Sequence, residues 1–151
     1  MIRAMTLLTF LLAALPVSAA QLRPVTKTDL CISANIDGQK VSGPATVEPC
    51  SDLRLDQEFR KGERDVLFVN GGCLQVVRYK DKPGFGVFAA PCHGGDGQRW
   101  RLTGDGRFVS DTRKCLAISG ALAAGSSLEA AECADKPENQ AAQKWAVYGR
   151  F

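Results

Sequence analysis

The chain carries one long apolar run, at its start, and only short ones afterwards. Met5 to Val17 is nearly unbroken apolar sequence, preceded by Arg3 and followed by the small residues Ser18, Ala19 and Ala20. A positive start, an apolar middle and a small-residue end are the three parts of a secretory leader. They predict export and removal of residues 1–20, leaving a mature chain of residues 21–151. The run falls short of the roughly 20 residues that span a bilayer; a retained anchor is the alternative reading. The cleavage region has no cysteine to carry a lipid, and no later stretch is apolar for long enough to cross a membrane.

Beyond the leader the pattern is that of strands and turns. Leu67 to Val69, Cys73 to Val77, Trp100 to Leu102 and Cys115 to Ile118 are short, apolar or alternating runs. Asn70-Gly71-Gly72, Pro83-Gly84, Gly94-Gly95-Asp96-Gly97 and Gly104-Asp105-Gly106 separate them. Short strands between glycine-rich turns predict an all-β sandwich or barrel. Gly104-Asp105-Gly106, between Leu102 and Phe108, reads as a tight hairpin turn. The alanine-rich stretch 121–131 is assigned to strand, not helix, because Gly125-Ser126-Ser127 interrupts it and it aligns with strand segments elsewhere.

That alignment comes from an internal repeat. Cys31, Cys73 and Cys115 lie 42 residues apart; Cys50, Cys92 and Cys133 follow at intervals of 42 and 41. Within each pair the separation is 19, 19 and 18 residues. Of the fifteen pairings open to six cysteines, this regularity selects Cys31–Cys50, Cys73–Cys92 and Cys115–Cys133. An even cysteine count in an exported chain reads as disulfides. An aliphatic residue follows each first cysteine (Ile32, Leu74, Leu116). A Gln-x-aromatic triplet closes each copy: Gln57-Glu58-Phe59, Gln98-Arg99-Trp100 and Gln143-Lys144-Trp145. The copies run approximately over 29–70, 71–112 and 113–151. One copy is too small to bury its own apolar face, whereas three can close a barrel around a shared axis. A tandem of three separate disulfide mini-domains is the alternative, and the linkers it needs are missing.

Three Cys-aliphatic starts, each with a partner cysteine and a Gln-x-Trp or Gln-x-Phe close, resemble the ricin B-chain type β-trefoil lectins. The segment Gln98-Arg99-Trp100-Arg101-Leu102-Thr103-Gly104-Asp105-Gly106-Arg107-Phe108, running on to Lys114-Cys115-Leu116, is particularly similar. The resemblance covers roughly residues 22–151 and implies a β-trefoil of three pseudo-symmetric, disulfide-closed lobes. It departs at Phe59, where the family has tryptophan, and in the short tail after Trp145, which suggests that residues 22–30 complete the last sheet element from the other end. Phe59, Trp100 and Trp145 are expected in the core, with Gln57, Gln98 and Gln143 tying loop backbone together.

The resemblance also implies where a sugar would sit. A competent lobe has an aspartate two residues after its first cysteine, a ring two residues before the second, and an asparagine before the Gln-x-Trp glutamine. Here the first position is Ser33, Gln75 and Ala117, the second Glu48, Ala90 and Ala131, the third Asp56, Gly97 and Ala142. No copy keeps two of the three markers, so the expectation is degenerate or displaced sites. The second copy has the best material for a displaced one: Gln75, Phe88, His93, Asp96 and Gln98, with glycines allowing close approach. Phe88 as core and His93 as an exposed loop residue are the competing readings.

Composition narrows the classes. Loss of Arg3 with the leader leaves 18 basic against 16 acidic residues, scattered, with no footprint for nucleic acid. The chain has one histidine and no Gly-x-Ser-x-Gly, His-Glu-x-x-His or Cys-x-x-Cys pattern, so no enzyme, metal site or cofactor is expected. The expected function is an exported, periplasmic or extracellular, carbohydrate-binding module. The alternative is a protein-interaction or toxin-type targeting subunit on the same scaffold without sugar binding. A glycan and a partner protein are accordingly the two expected ligand classes.

Overall fold

The computed structural model describes residues 19–36 and 43–151. The expected leader lies outside these residues except for Ala19 and Ala20. Twelve strands are present among the described residues, four to a lobe. The first lobe holds β1 (Ala20–Pro24), β2 (Leu30–Ser33), β3 (Thr46–Pro49) and β4 (Phe59–Lys61). The second holds β5 (Leu67–Val69), β6 (Gly72–Arg78), β7 (Phe85–Ala90) and β8 (Trp100–Leu102). The third holds β9 (Phe108–Ser110), β10 (Lys114–Ile118), β11 (Leu128–Glu132) and β12 (Trp145–Gly149). In each lobe the middle two strands form a hairpin, β2–β3, β6–β7 and β10–β11, held by the disulfide. The outer two belong to a barrel.

The barrel is closed lobe to lobe. β1 pairs with β12 and touches β4, β4 pairs with β5, and β8 pairs with β9. A bridge from Val66 to Arg99 joins the first wall to the second, and the Trp145 N–H donates to the Gly106 carbonyl at 2.8 Å to join the second to the third. Residues 20–24, not the expected 22–30, complete the last sheet element, with Ala20 opposite Gly149 and Pro24 opposite Trp145. The turn at 104–106 forms as expected: the Gly106 N–H donates to Thr103 O, and Gly106 takes φ 89°, a left-handed value that favours glycine. The stretch 121–131 is a turn leading into β11, without helix.

All three predicted disulfides are present, with Cα–Cα distances of 5.0, 5.1 and 5.0 Å. Phe59, Trp100 and Trp145 are buried in one core with Leu22, Ile32, Leu74, Leu116 and Leu128. The two indoles also find polar partners, as buried tryptophans usually do. Trp100 Nε1 donates to Leu74 O at 2.9 Å and Trp145 Nε1 to Leu116 O at 3.0 Å. Phe59 has no N–H to offer the matching carbonyl of Ile32, which is the local chemical difference of the first lobe.

The three glutamines work as clamps around the second cysteine of each pair. Gln57 Nε2 donates to Pro49 O and its Oε1 accepts from Ser51 N. Gln98 does the same with Pro91 O and His93 N, and Gln143 with Glu132 O and Ala134 N. Each amide thus satisfies the backbone on both sides of Cys50, Cys92 or Cys133. An unmade bond at such a buried group costs roughly 1–3 kcal/mol, which is reason enough for glutamine at this position.

Candidate functional site: the outer face of the second lobe

The second residue after each first cysteine lies on the first strand of its hairpin, and the residue before each clamp glutamine lies in a short 3-10 turn. The three lobes use this place differently. In the first, Asp56 occupies the third marker position and closes the site on itself. Arg54 grips its carboxylate through Nε at 3.1 Å and a second nitrogen at 2.6 Å, and the Ser33 hydroxyl donates to the same carboxylate. Arg54 also donates to Ser33 Oγ at 2.9 Å. The Arg54 hydrogen bond is the chief reason the Asp56 carboxyl titrates below the usual carboxylate range; Ser33 adds to it, against a smaller effect of burial.

A carboxylate held charged in the fold stabilises above its unfolded pKa of about 3.9 and loses that contribution as pH falls through its lower folded value. The Asp56→Asn variant is therefore expected to lose stability at neutral pH and to unfold with a shallower acid dependence below about pH 4. Denaturant midpoints measured across that range check this.

The third lobe has nothing to offer at the same place. Ala117, Ala131 and Ala142 supply no polar side chain, and Ala117 is buried. The nearby Gln140 amide, a loop residue, is used internally on Ala134 O at 3.1 Å.

The second lobe is different. Side chains alternate across a strand. Leu74, Val87 and Ala89 face the core, so Gln75, Gly86 and Phe88 face outward. Gln75 and Phe88 are direct cross-strand partners, and residues so paired share a face. Gly97 sits against Gln75: a Cβ there would lie 3.3 Å from Val76 O and 3.6 Å from Gln75 Cγ.

The orientation of the Gln75 amide follows from its neighbours. Its Oε1 accepts from Gln98 Nε2 at 2.8 Å. The Gly95 N–H donates to His93 Nδ1 at 3.0 Å, which leaves the proton of this ring on Nε2, 3.2 Å from the same Gln75 Oε1. Reversing the amide would set donor against donor. Gln75 Nε2 has no hydrogen-bond partner among the described residues, so two N–H donors remain unspent on the face that Gln75 shares with Phe88. In the family pattern this place holds a carboxylate acceptor; here it holds a fixed donor.

The remaining predicted site residues divide. Gln98 is fully buried and its amide is saturated, by Gln75, Pro91 O, His93 N and Gly94 N. It positions Gln75 and has no group left for a ligand. Asp96 is exposed and pairs with Arg99, whose Nε also binds Asp111 at 2.6 Å. The structure thus brings Gln75, Phe88 and His93 together and draws Asp96 into a separate ion pair. Phe88 lies outside the core, and His93 is exposed but not idle. Reading by motif offset missed Tyr79 and Gly86, whose places depend on strand register. Among the described residues no group of three or more His, Cys, Asp or Glu is arranged to hold a metal ion, and no helix is long and apolar enough to cross a membrane.

A family model of the ricin-type β-trefoil lectin domain matches residues 68–150. The chain belongs to that family. The match begins at the head of the second lobe, which leaves the first, with Phe59 and its Arg54–Asp56 pair, as the divergent one. A sequence search of curated proteins finds no match for this lectin domain. Among solved structures it is similar to the mdaA-1 domain, at 13% identity and a TM-score of 0.71 over 89% of this chain and 91% of that one. It is similar to the agglutinin of Abrus precatorius, at 16% identity and a TM-score of 0.68; 91% of this chain aligns with 51% of the agglutinin. It is also similar to the β-trefoil lectin of the Vibrio vulnificus hemolysin/cytolysin, solved with N-acetyl-D-lactosamine bound, at 17% identity and a TM-score of 0.60 over 89% of this chain and 96% of that one. At such identities the likeness is one of fold.

Proposed function

We propose that this protein is an exported, non-catalytic carbohydrate-binding module, that its first and third lobes no longer hold sugar, and that the second lobe binds it at a displaced site. The observation that carries the reading is the pairing, on one outward face, of an unspent amide donor with a ring. Gln75 Nε2 supplies directed hydrogen bonds and Phe88 supplies apolar area, the two elements a pyranose needs. His93 holds the amide. Removal of the leader up to Ala20, the first residue of β1, delivers a chain whose remaining β1 residues close the barrel against β12, in an oxidising compartment where three disulfides persist.

The test is a glycan array on the wild type and on the Gln75→Ala, Phe88→Ala and Asp96→Ala variants. The first two are expected to lose binding by at least about tenfold, the loss of roughly 1.4 kcal/mol; the third is expected to bind as the wild type. Binding that survives both Gln75→Ala and Phe88→Ala removes the site.

One observation favours a second reading, a protein-interaction or targeting subunit. Leu53 and Leu55 are 93% and 64% exposed on the loop that Arg54 anchors to Asp56. Two bare leucines on a fixed loop suit a protein partner. Capture of a partner by the wild type and not by a Leu53→Ser, Leu55→Ser variant, with an empty glycan array, selects this reading.

A further inference from the structure

The outer face of the second lobe does not end at Phe88. Gly86 lies at its centre, opposite Val77 on β6 and opposite Glu129 on β11. Directly opposed residues share a face, so Glu129 stands on the same surface as Gln75 and Phe88 although it comes from the third lobe. Two rings converge over this glycine. A Cβ at position 86 would lie 2.6 Å from Phe88 Cε2 and 2.8 Å from Tyr79 Cε1, closer than real contacts allow. The absent side chain is what lets both rings lie down on the strand.

Past Tyr79 the surface opens into a groove of about 320 Å³ between the second and third lobes. Tyr79, Lys82 and Phe85 of the second lobe and Lys114, Glu129 and Ala131 of the third line it. Lys114 is paired with Glu132. The groove therefore balances its charges, two lysines against two glutamates, and has no preference for an ionic ligand. Burial, aided by Glu129, pushes the Tyr79 phenol above its ordinary range, so it stands as a neutral donor. Ring faces, a neutral hydroxyl donor and a carboxylate acceptor are the groups that hold an uncharged sugar ring.

From this continuity, and resting on the sugar-binding reading above, we infer that the protein binds an extended neutral oligosaccharide: one sugar ring lies on Phe88 and Gln75, and the next on Tyr79 with Glu129. The Lys82 ammonium, 4.3 Å from the Tyr79 ring centroid, covers that ring in the free protein. Its exposed side chain swings off as the second sugar arrives.

Calorimetric titration with two size series tests this: galactose, N-acetyl-lactosamine and its tandem repeat, and xylose through xylotetraose. Within the series that binds, affinity is expected to rise about three- to tenfold from one ring to the longer chains, the worth of one further ring contact. Tyr79→Ala is expected to abolish the rise, so that short and long members bind alike. Tyr79→Phe retains most of the rise, which separates ring loss from misfolding, as does an unchanged melting point. Equal affinity for short and long members, or a Tyr79→Ala variant that weakens all alike, overturns the extension and leaves the Phe88 site standing. No binding by any member overturns both.

Discussion

Replacing Trp100 with alanine is expected to cost about 3–5 kcal/mol of stability, the usual cost of deleting a fully buried large ring. Trp100 has no exposed surface, and it sits where Leu74 and the other lobes' apolar residues meet. The truncation leaves a cavity too large for its neighbours to fill. It also strips the Leu74 carbonyl of its indole donor, a bond of 2.9 Å in a buried setting. A small domain is stable by only about 5–15 kcal/mol in total, so the variant is expected to lie at the edge of folding. A phenylalanine at the same place keeps most of the apolar area and loses the N–H. The first lobe already does this with Phe59, which is fully buried. Trp100→Phe is therefore expected to cost much less, about 1–3 kcal/mol. Denaturant midpoints of the two variants should differ in that order. Equal losses would mean that the indole's size, and not its bond, carries no weight in this core.

Reduction of the disulfides is the second large effect. Each closes a loop of 18 or 19 residues. In the chain-entropy picture each loop contributes about 3 kcal/mol by restricting the unfolded chain. Together they approach the whole stability of such a domain. The fully reduced protein is expected to melt well below the oxidised one, and at physiological temperature to be largely unfolded. Each bridge lies within its own lobe, so the Cys73→Ala, Cys92→Ala variant should fall by about one third of the total. Thermal melts followed by circular dichroism, with and without reductant, give the comparison. A reduced protein that melts with the oxidised one would show that the core and the glutamine clamps suffice alone.

Much of this architecture is legible in the sequence because it rests on repetition. The cysteine interval gives the pairing, the lobe count and the Gln-x-aromatic positions. These in turn give the core rings and the clamps, since three equal chemical environments select three equal residues. Closure of the barrel by residues 20–24 was only half legible. Strand pairing between the two chain ends is a long-range event, and the apolar character of Leu22 does not say whether pairing begins at Ala20 or later.

The candidate site was legible as a set of residues and not as an arrangement. Phe88 lies four residues before Cys92, not two, so a search by family offset passes over it. Its partnership with Gln75 appears only once the β6–β7 register is known. Asp96 looked available because a carboxylate in a glycine-rich loop has no visible partner in sequence; Arg99, three residues on, takes it. Gln98 carried two readings at once, and its burial decides for the clamp. The first-lobe site is the reverse case: the family offset places Ser33 and Asp56 at marker positions, but only the folded structure brings Arg54 onto both, and the three fill the place where the family pattern leaves room for a sugar.

Amide chemical-shift mapping with a titrated glycan tests the account most directly, because it reads the location of the ligand and not only its presence. With the best array ligand added stepwise, shifts are predicted at Gln75, Phe88, His93 and Gly97, spreading to Tyr79 and Glu129 for longer chains. The amides around Ser33 and Ala117 should stay in place. Shifts centred on the first or third lobe would contradict the account, as would a spectrum that no glycan moves.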